Sequence, residues 1–221
     1  MDVVIAGGHG KIALRLERLL TARGDTVTGL ISSAGQAPDL AALGARAVVC
    51  DLESIPPAGL AAHLRGADAV VFAAGAGPAS GIGRKDTVDR AAAALLADAA
   101  ELAGVRRYLM ISTMGLDSAG APGMDPEFSS YLRAKAAAED DLRARDLDWT
   151  VLRPGPLTDD PGTGSVRLAV PRLPMGAVPR DDVAAVLLAL LDAHAAAGRT
   201  LELTSGPEPV ADAVRVALAV A

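Results

Sequence analysis

A single cysteine, Cys50, stands among 221 residues, which excludes an intramolecular disulfide and a thiolate-rich zinc site. Aromatic residues are also scarce: two Phe, two Tyr and one Trp, 2% of the chain. A core made from this composition must come from many small aliphatic side chains on closely packed helices and strands. No apolar run reaches the roughly 18–20 residues that span a bilayer. The opening MDVVIAGG has neither the basic stretch nor the cleavage site of a secretory signal, so a cytoplasmic location is expected. Positive charge is in deficit, with 21 Lys and Arg against 27 Asp and Glu and a pI near 5.0, which argues against a nucleic-acid backbone as partner. The three histidines, His9, His63 and His194, show no metal-ligand spacing. Paired acids at Asp140-Asp141, Asp159-Asp160 and Asp181-Asp182 read as solvated surface, with Asp181 or Asp182 a candidate helix N-cap. The expected partner is a small-molecule substrate, with no membrane, no nucleic acid and no metal, for a monomer or small homo-oligomer.

What the chain does have is 51% hydrophobic and 22% charged residues, the balance of a globular rather than a disordered protein. Short β-branched runs alternate with alanine-rich amphipathic stretches. Strands are expected at 2–6, 26–31, 47–50, 69–73, 107–112 and 150–152, with another at 200–203. Helices are expected at 11–22, 40–43, 60–64, 85–103, 129–145 and 181–193, with a last one from about Val210. On the first helix Ile12, Leu16, Leu19 and Leu20 share one face. Residues 154–179, rich in Pro and Gly, read as loop. Such alternation predicts an α/β fold: a doubly wound, mostly parallel sheet with helices on both faces. No linker or internal repeat divides the chain, so residues 1–221 are expected to form one domain, with about 155–180 as a short substrate-side extension.

Between the first strand and first helix lies Gly7-Gly8-His9-Gly10-Lys11-Ile12-Ala13. A chain that turns sharply, lets a pyrophosphate approach its backbone and packs a helix close to a strand needs small residues, and Gly7, Gly10 and Ala13 supply them. The helix N-terminus adds free amides and the positive end of its dipole. This context makes the loop a dinucleotide-binding (Rossmann) signal rather than a bare glycine pattern. His9 and Lys11 either touch phosphate or are solvent-exposed loop residues.

An NAD site places an acid about 20 residues beyond the glycines, on the ribose 2′-hydroxyl. Residues 26–38 contain none; the second strand runs into Ser32-Ser33. An acid there would repel a 2′-phosphate, and two hydroxyls tolerate it, so NADP(H) is expected over NAD(H). Both serines are equally turn-forming residues. Arg84 or Lys85 could supply a cation for the phosphate. Asp51-Leu52 and Ala73-Ala74-Gly75 close the third and fourth strands, where adenine and ribose would lie; Asp51 reads equally well as a loop Asp bonded to its own backbone.

Tyr131 and Lys135, one helical turn apart, face the same way. A phenol titrates near 10, and bringing it to about 7 takes some 4 kcal/mol. An ammonium about 4 Å away at an effective dielectric of 20 offers that much. The alternative is an exposed helix with an amphipathic Tyr and a solvated Lys.

These residues bear a resemblance. The chain resembles the short-chain dehydrogenase/reductase superfamily, in its atypical members with the extended-branch loop. It is similar to the bacterial NAD(P)H-binding epimerase or reductase group related in fold to biliverdin IXβ reductase and NmrA-like proteins. The likeness runs nearly end to end, through Gly7–Ala13, Asp51-Leu52, Ala73-Ala74-Gly75, 84–89, Ile111-Ser112-Thr113, Tyr131–Lys135, Arg153-Pro154-Gly155 and 203–206. It implies Tyr131 as proton donor or acceptor, and Lys135 as its activator and as a ligand of the nicotinamide ribose. It implies Thr113 as the hydroxyl that polarises the substrate oxygen, with Ser112 beside it. The superfamily's Asn falls on Asp89, a departure that unsettles any proton relay there; Asp89 otherwise reads as a solvated helix carboxylate. Pro154, Gly155 and Leu157 match the segment that lies against the nicotinamide.

The extended relatives clamp nucleotide-sugars with a larger C-terminal region than residues 156–221 supply. An open pocket shaped by about 77–85, 116–128 and 156–179 is expected, suited to a compact or flat carbonyl- or quinone-like substrate. The expected function is an NADP(H)-dependent oxidoreductase. The alternatives are a non-catalytic NADP(H) sensor and an epimerase or dehydratase that keeps its nucleotide.

Overall fold

The apolar pentapeptide Asp2–Ala6 forms strand β1, buried from its second residue onward, because a central parallel strand is covered on both faces and needs no polar alternation. Helix α1 (Lys11–Arg23) follows and stops at Gly24, whose φ of 90° gives the left-handed cap. The computed structural model describes residues 1–77 and 80–219. The alternation continues through β2 (Thr26–Ile31), α2 (Ala37–Ala42), β3 (Arg46–Val49), α3 (Pro57–Leu64), β4 (Ala69–Phe72), α4 (Ile82–Arg84), α5 (Ala92–Ala103), β5 (Arg107–Ile111), α6 (Pro126–Arg143) and β6 (Asp148–Pro154). Between α4 and α5 the helix widens into a π-helical stretch, Lys85–Ala91. Then come β7 (Leu157–Thr158), β8 (Ser165–Ala169), β9 (Val178–Pro179), α7 (Arg180–Asp192), β10 (Arg199–Ser205), β11 (Glu208–Pro209) and α8 (Val210–Ala219).

The main sheet has nine strands in the order β11-β8-β10-β6-β5-β4-β1-β2-β3. Pairing from β3 across to β10 is parallel, and β8 joins β10 antiparallel. One hydrophobic cluster lies under α1, α7 and α8, with Leu16, Leu187 and Leu190 wholly buried. The other lies under α3, α5 and α6, with Leu60, Leu96 and Tyr108. The domain is therefore the doubly wound α/β sheet expected. Strand order reverses between β1 and β4, so the glycine loop after β1 opens at the switch point where such sheets bind ligands. No helix among the described residues is long and apolar enough to cross a membrane.

Two expectations need correction. Residues 154–179 are not simply loop: β7, β8 and β9 lie within them, and Val166 and Leu168 alternate inward from β8, a pattern too short to stand out among the prolines and glycines. Asp181 and Asp182 do not cap α7. They sit in its first turn and accept the amides of Gly162 (3.1 Å), Thr163 (3.0 Å) and Gly164 (2.9 Å), tying the extension down. The segment 77–85 expected to shape the pocket includes residues 78 and 79, which lie outside the described residues.

Candidate functional site

The glycine loop is built as a cradle. Gly7 has φ 81°, and a Cβ there would come within 2.6 Å of the Ala74 Cα; a Cβ on Gly8 would come within 2.7 Å of the Gly29 Cα. The Gly7 and Gly8 amides donate to the Leu30 carbonyl (3.2 and 2.9 Å). Gly10 begins α1 with no side-chain cap, which leaves the first helical amides free for an anion.

Below the loop runs a cleft of two lobes that share Ala73, Ala74 and Gly75. The smaller, 280 Å³, is lined by Gly7, His9, Gly10, Ser32, Asp51 and Leu52, with Arg84 at its side. The larger, 520 Å³, is lined by Ile12, Asp89, Ser112, Tyr131, Lys135 and Leu157. Other expected residues do not line it. Gly8 is buried, with its amide spent on Leu30. Lys11 turns outward to Asp159 (2.5 Å), which Arg180 also holds (2.8 Å). The Ser33 hydroxyl accepts from the Gly35 amide (3.4 Å). Pro154 is buried in β6, and the Gly155 amide donates to the Leu203 carbonyl (2.9 Å). His9, which does line the smaller lobe, also pairs with Asp39 (2.7 Å). Asp51 lines the lobe and also binds its own loop, accepting from the Glu53 amide and the Ser54 hydroxyl. Thr113 lies outside the lining, its hydroxyl donating to the Met114 carbonyl (3.3 Å).

The electrostatics of the larger lobe differ from the expectation. Asp89 is not solvated: it is 1% exposed, accepts the Ala76 amide (3.3 Å) and lies 3.3 Å from the Lys135 ammonium. Lys135, equally buried, also donates to the Ile111 carbonyl (3.3 Å). Burial holds its pKa below the ordinary lysine range, with Asp89 working the other way. The Tyr131 phenol is not brought toward 7. Desolvation, then the Asp89 charge, push it up to about 12, and the Thr113 hydrogen bond offsets only part. Desolvation and the nearby Asp89 charge together keep the proton on the phenol in the resting protein.

Three further residues shape this lobe. Lys85 is buried and holds the Gly77 carbonyl, with Glu127 at 3.3 Å and the Tyr131 ring centroid at 5.8 Å; Lys135 lies 5.9 Å from the same ring. Lys85 therefore belongs to the larger lobe, and Arg84 alone of the two candidate cations lines the smaller one. The i,i+4 spacing of Lys85 and Asp89 was a signal for this. The π-helical stretch brings both side chains to the cleft, a distortion common at functional sites. Phe128, half exposed, stacks on Tyr131 with centroids 6.0 Å apart.

Fold and cleft together define a dinucleotide-binding protein of the short-chain dehydrogenase/reductase type. The chain belongs to the NAD(P)H-binding family, whose model matches residues 7–194. It is 35% identical over 216 residues to a Bacillus subtilis protein named as an uncharacterized sugar epimerase, covering 97% of this chain and 99% of that one. A Bacillus halodurans structure, provisionally assigned as an NAD-dependent epimerase/dehydratase, superposes with a TM-score of 0.88 at 32% identity, covering 98% and 99%. An anaerobilin reductase from Escherichia coli O157:H7 gives 0.77 at 26%, covering 93% and 97%. These similarities place the chain among oxidoreductase-type enzymes of the NAD(P)H-binding reductase and epimerase group.

The cradle fits such a group, since the closest backbone approaches occur where side chains are missing. Gly7→Ala is expected to lower the melting temperature, because a left-handed φ costs an L-residue about 1–2 kcal/mol. It is also expected to weaken NADP⁺ binding about tenfold or more by calorimetry. Unchanged affinity would show that the loop does not carry the nucleotide.

Proposed function

We propose that the protein is an NADP(H)-dependent reductase in which Tyr131 gives the proton to a carbonyl- or quinone-like oxygen. The observation that carries this reading is the placement of Tyr131, Lys135 and Asp89 on one wall of a cleft whose other end is the glycine cradle. When bound, the reduced nicotinamide supplies a hydride to the acceptor carbon. The chain's own residues do the rest. The Tyr131 hydroxyl transfers its proton to the oxygen that gains charge. Lys135, poised beside the ring, stabilises the phenolate left behind. Asp89 keeps that ammonium charged despite its burial. Phe128, Leu157 and Ile12 give the lobe apolar walls that exclude water and favour a flat acceptor.

NADP(H) over NAD(H) is supported by the absence of acid at the end of β2 and by Ser32 and Arg84 on the smaller lobe. Arg84 now pairs with Glu53 (2.8 Å), and a 2′-phosphate would compete for it. Arg84→Ala is expected to weaken NADPH binding about fivefold to tenfold and leave NADH binding unchanged, as one charge-assisted contact is lost. Equal losses for both nucleotides would place Arg84 outside phosphate recognition. A second reading, epimerase chemistry with a retained nucleotide, is favoured by the name of the Bacillus subtilis relative. Net NADPH consumption with a panel of quinones, carbonyls and flavins separates the two: turnover supports the reductase, and tight co-purified nucleotide without turnover supports the epimerase.

A further inference from the structure

Two helical turns beyond Tyr131 and one beyond Lys135, Glu139 points inward from the same face of α6 and is wholly buried. Its carboxylate is saturated by donors: Arg153 through Nε (2.9 Å) and Nη2 (2.6 Å), Arg143, and the Ser112 hydroxyl at 2.5 Å. A carboxylate between two guanidiniums only accepts hydrogen bonds, so Ser112 must spend its hydrogen on Glu139. Ser112 lines the larger lobe, and what its oxygen has left to offer is lone pairs.

We infer that Glu139 is a positioning residue that makes Ser112 an acceptor-only contact in the cleft, selecting a hydrogen-bond donor on the pyridine ring's carboxamide. The inference rests on the dinucleotide reading above and adds a determinant to it. It gives the two hydroxyls that line this lobe different roles: Ser112 receives a hydrogen, and giving one to an acceptor oxygen falls to Tyr131.

The test compares calorimetric titrations of NADP⁺ and its 3-acetylpyridine analogue, in which a methyl ketone without donors replaces the carboxamide; the corresponding NAD⁺ pair is run alongside. Wild type is expected to prefer the natural nucleotide by about threefold to tenfold, the worth of one hydrogen bond. Ser112→Ala should bring that ratio to about one. In Glu139→Gln the amide oxygen takes the Oε2 position between the two Nη2 donors, the NH₂ takes the Oε1 position facing Ser112 and displaces the Arg153 Nε bond, and the hydroxyl turns its hydrogen into the cleft, so the ratio should fall to one or below. A wild-type ratio near one, or a wild-type ratio retained in Ser112→Ala, would overturn the inference. So would Glu139→Gln weakening both nucleotides equally, the signature of a buried brace. Should Glu139→Gln not melt cooperatively, Ser112→Ala decides, since it breaks no ion pair. No heat from any nucleotide with wild type would instead sink the dinucleotide reading itself.

Discussion

Tyr131→Phe is expected to lower the rate of NADPH oxidation by about 10²- to 10⁴-fold with whichever quinone or carbonyl supports turnover, while NADP⁺ affinity stays within about threefold of wild type. The variant keeps the ring and its stacking on Phe128 and removes only the hydroxyl that would give the proton. A loss in kcat with binding intact identifies a group that acts in the transition state. The pH profile sharpens the case. With the phenol pushed up to about 12, the donor remains protonated through the neutral range, so activity should show no alkaline loss from this group below about pH 10. Asp89→Asn removes the charge that helps raise it, so the alkaline limb should move to lower pH. Equal turnover by Tyr131→Phe would remove the phenol from the reaction and leave an acceptor reduced by hydride alone.

Glu17→Met is expected to stabilise the protein, and increasingly so as pH rises. Glu17 lies on α1 beneath the glycine loop, 0% exposed, with neither carboxylate oxygen hydrogen-bonded. Its Oε1 fills the space left by two missing side chains: a Cβ on Gly8 would come within 3.0 Å of it and one on Gly29 within 2.6 Å. Desolvation pushes its pKa up to about 8 from 4.5. A raised folded-state pKa means that stability is fully present below pH 4.5, where both states are protonated. It is lost between about 4.5 and 8, as the unfolded chain ionises and the folded one resists, and above 8 the loss stays constant at up to about 5 kcal/mol. Melting temperatures at pH 5 and pH 8.5 check this. The gain of Glu17→Met over wild type should be much larger at the higher pH, at about 2–4 °C per kcal/mol for a chain of this size. A parallel pH dependence in the two proteins would mean that Glu17 reaches solvent when ionised.

The same residue shows where sequence reading stops. Periodicity placed Ile12, Leu16, Leu19 and Leu20 on the buried face of α1, and the fold turns that face slightly: Glu17 is buried and Leu19 only partly so. Helical spacing gives the angle of a stripe, and a glycine pair on neighbouring segments decides which flank of it is covered. The main strands and helices were legible because buried parallel strands are continuous apolar runs, and β1 and β2 match the expected spans. The two-residue strands β7 and β9 were not, since two residues carry no periodicity. The glycine loop and, on α6, Tyr131 and Lys135 could be read from spacing alone. The burial of Lys85, Asp89 and Glu139 could not, because it comes from segments far apart in sequence packing together.

Ala73, Ala74 and Gly75 form the waist between the two lobes, where almost no side chain projects. A molecule that spans the waist is recognised there by contour and not by chemical identity. On the proposed reading the two ends of the groove are thereby decoupled: variation on the α6 side would retune which acceptor is taken without disturbing how the far end of the nucleotide is held.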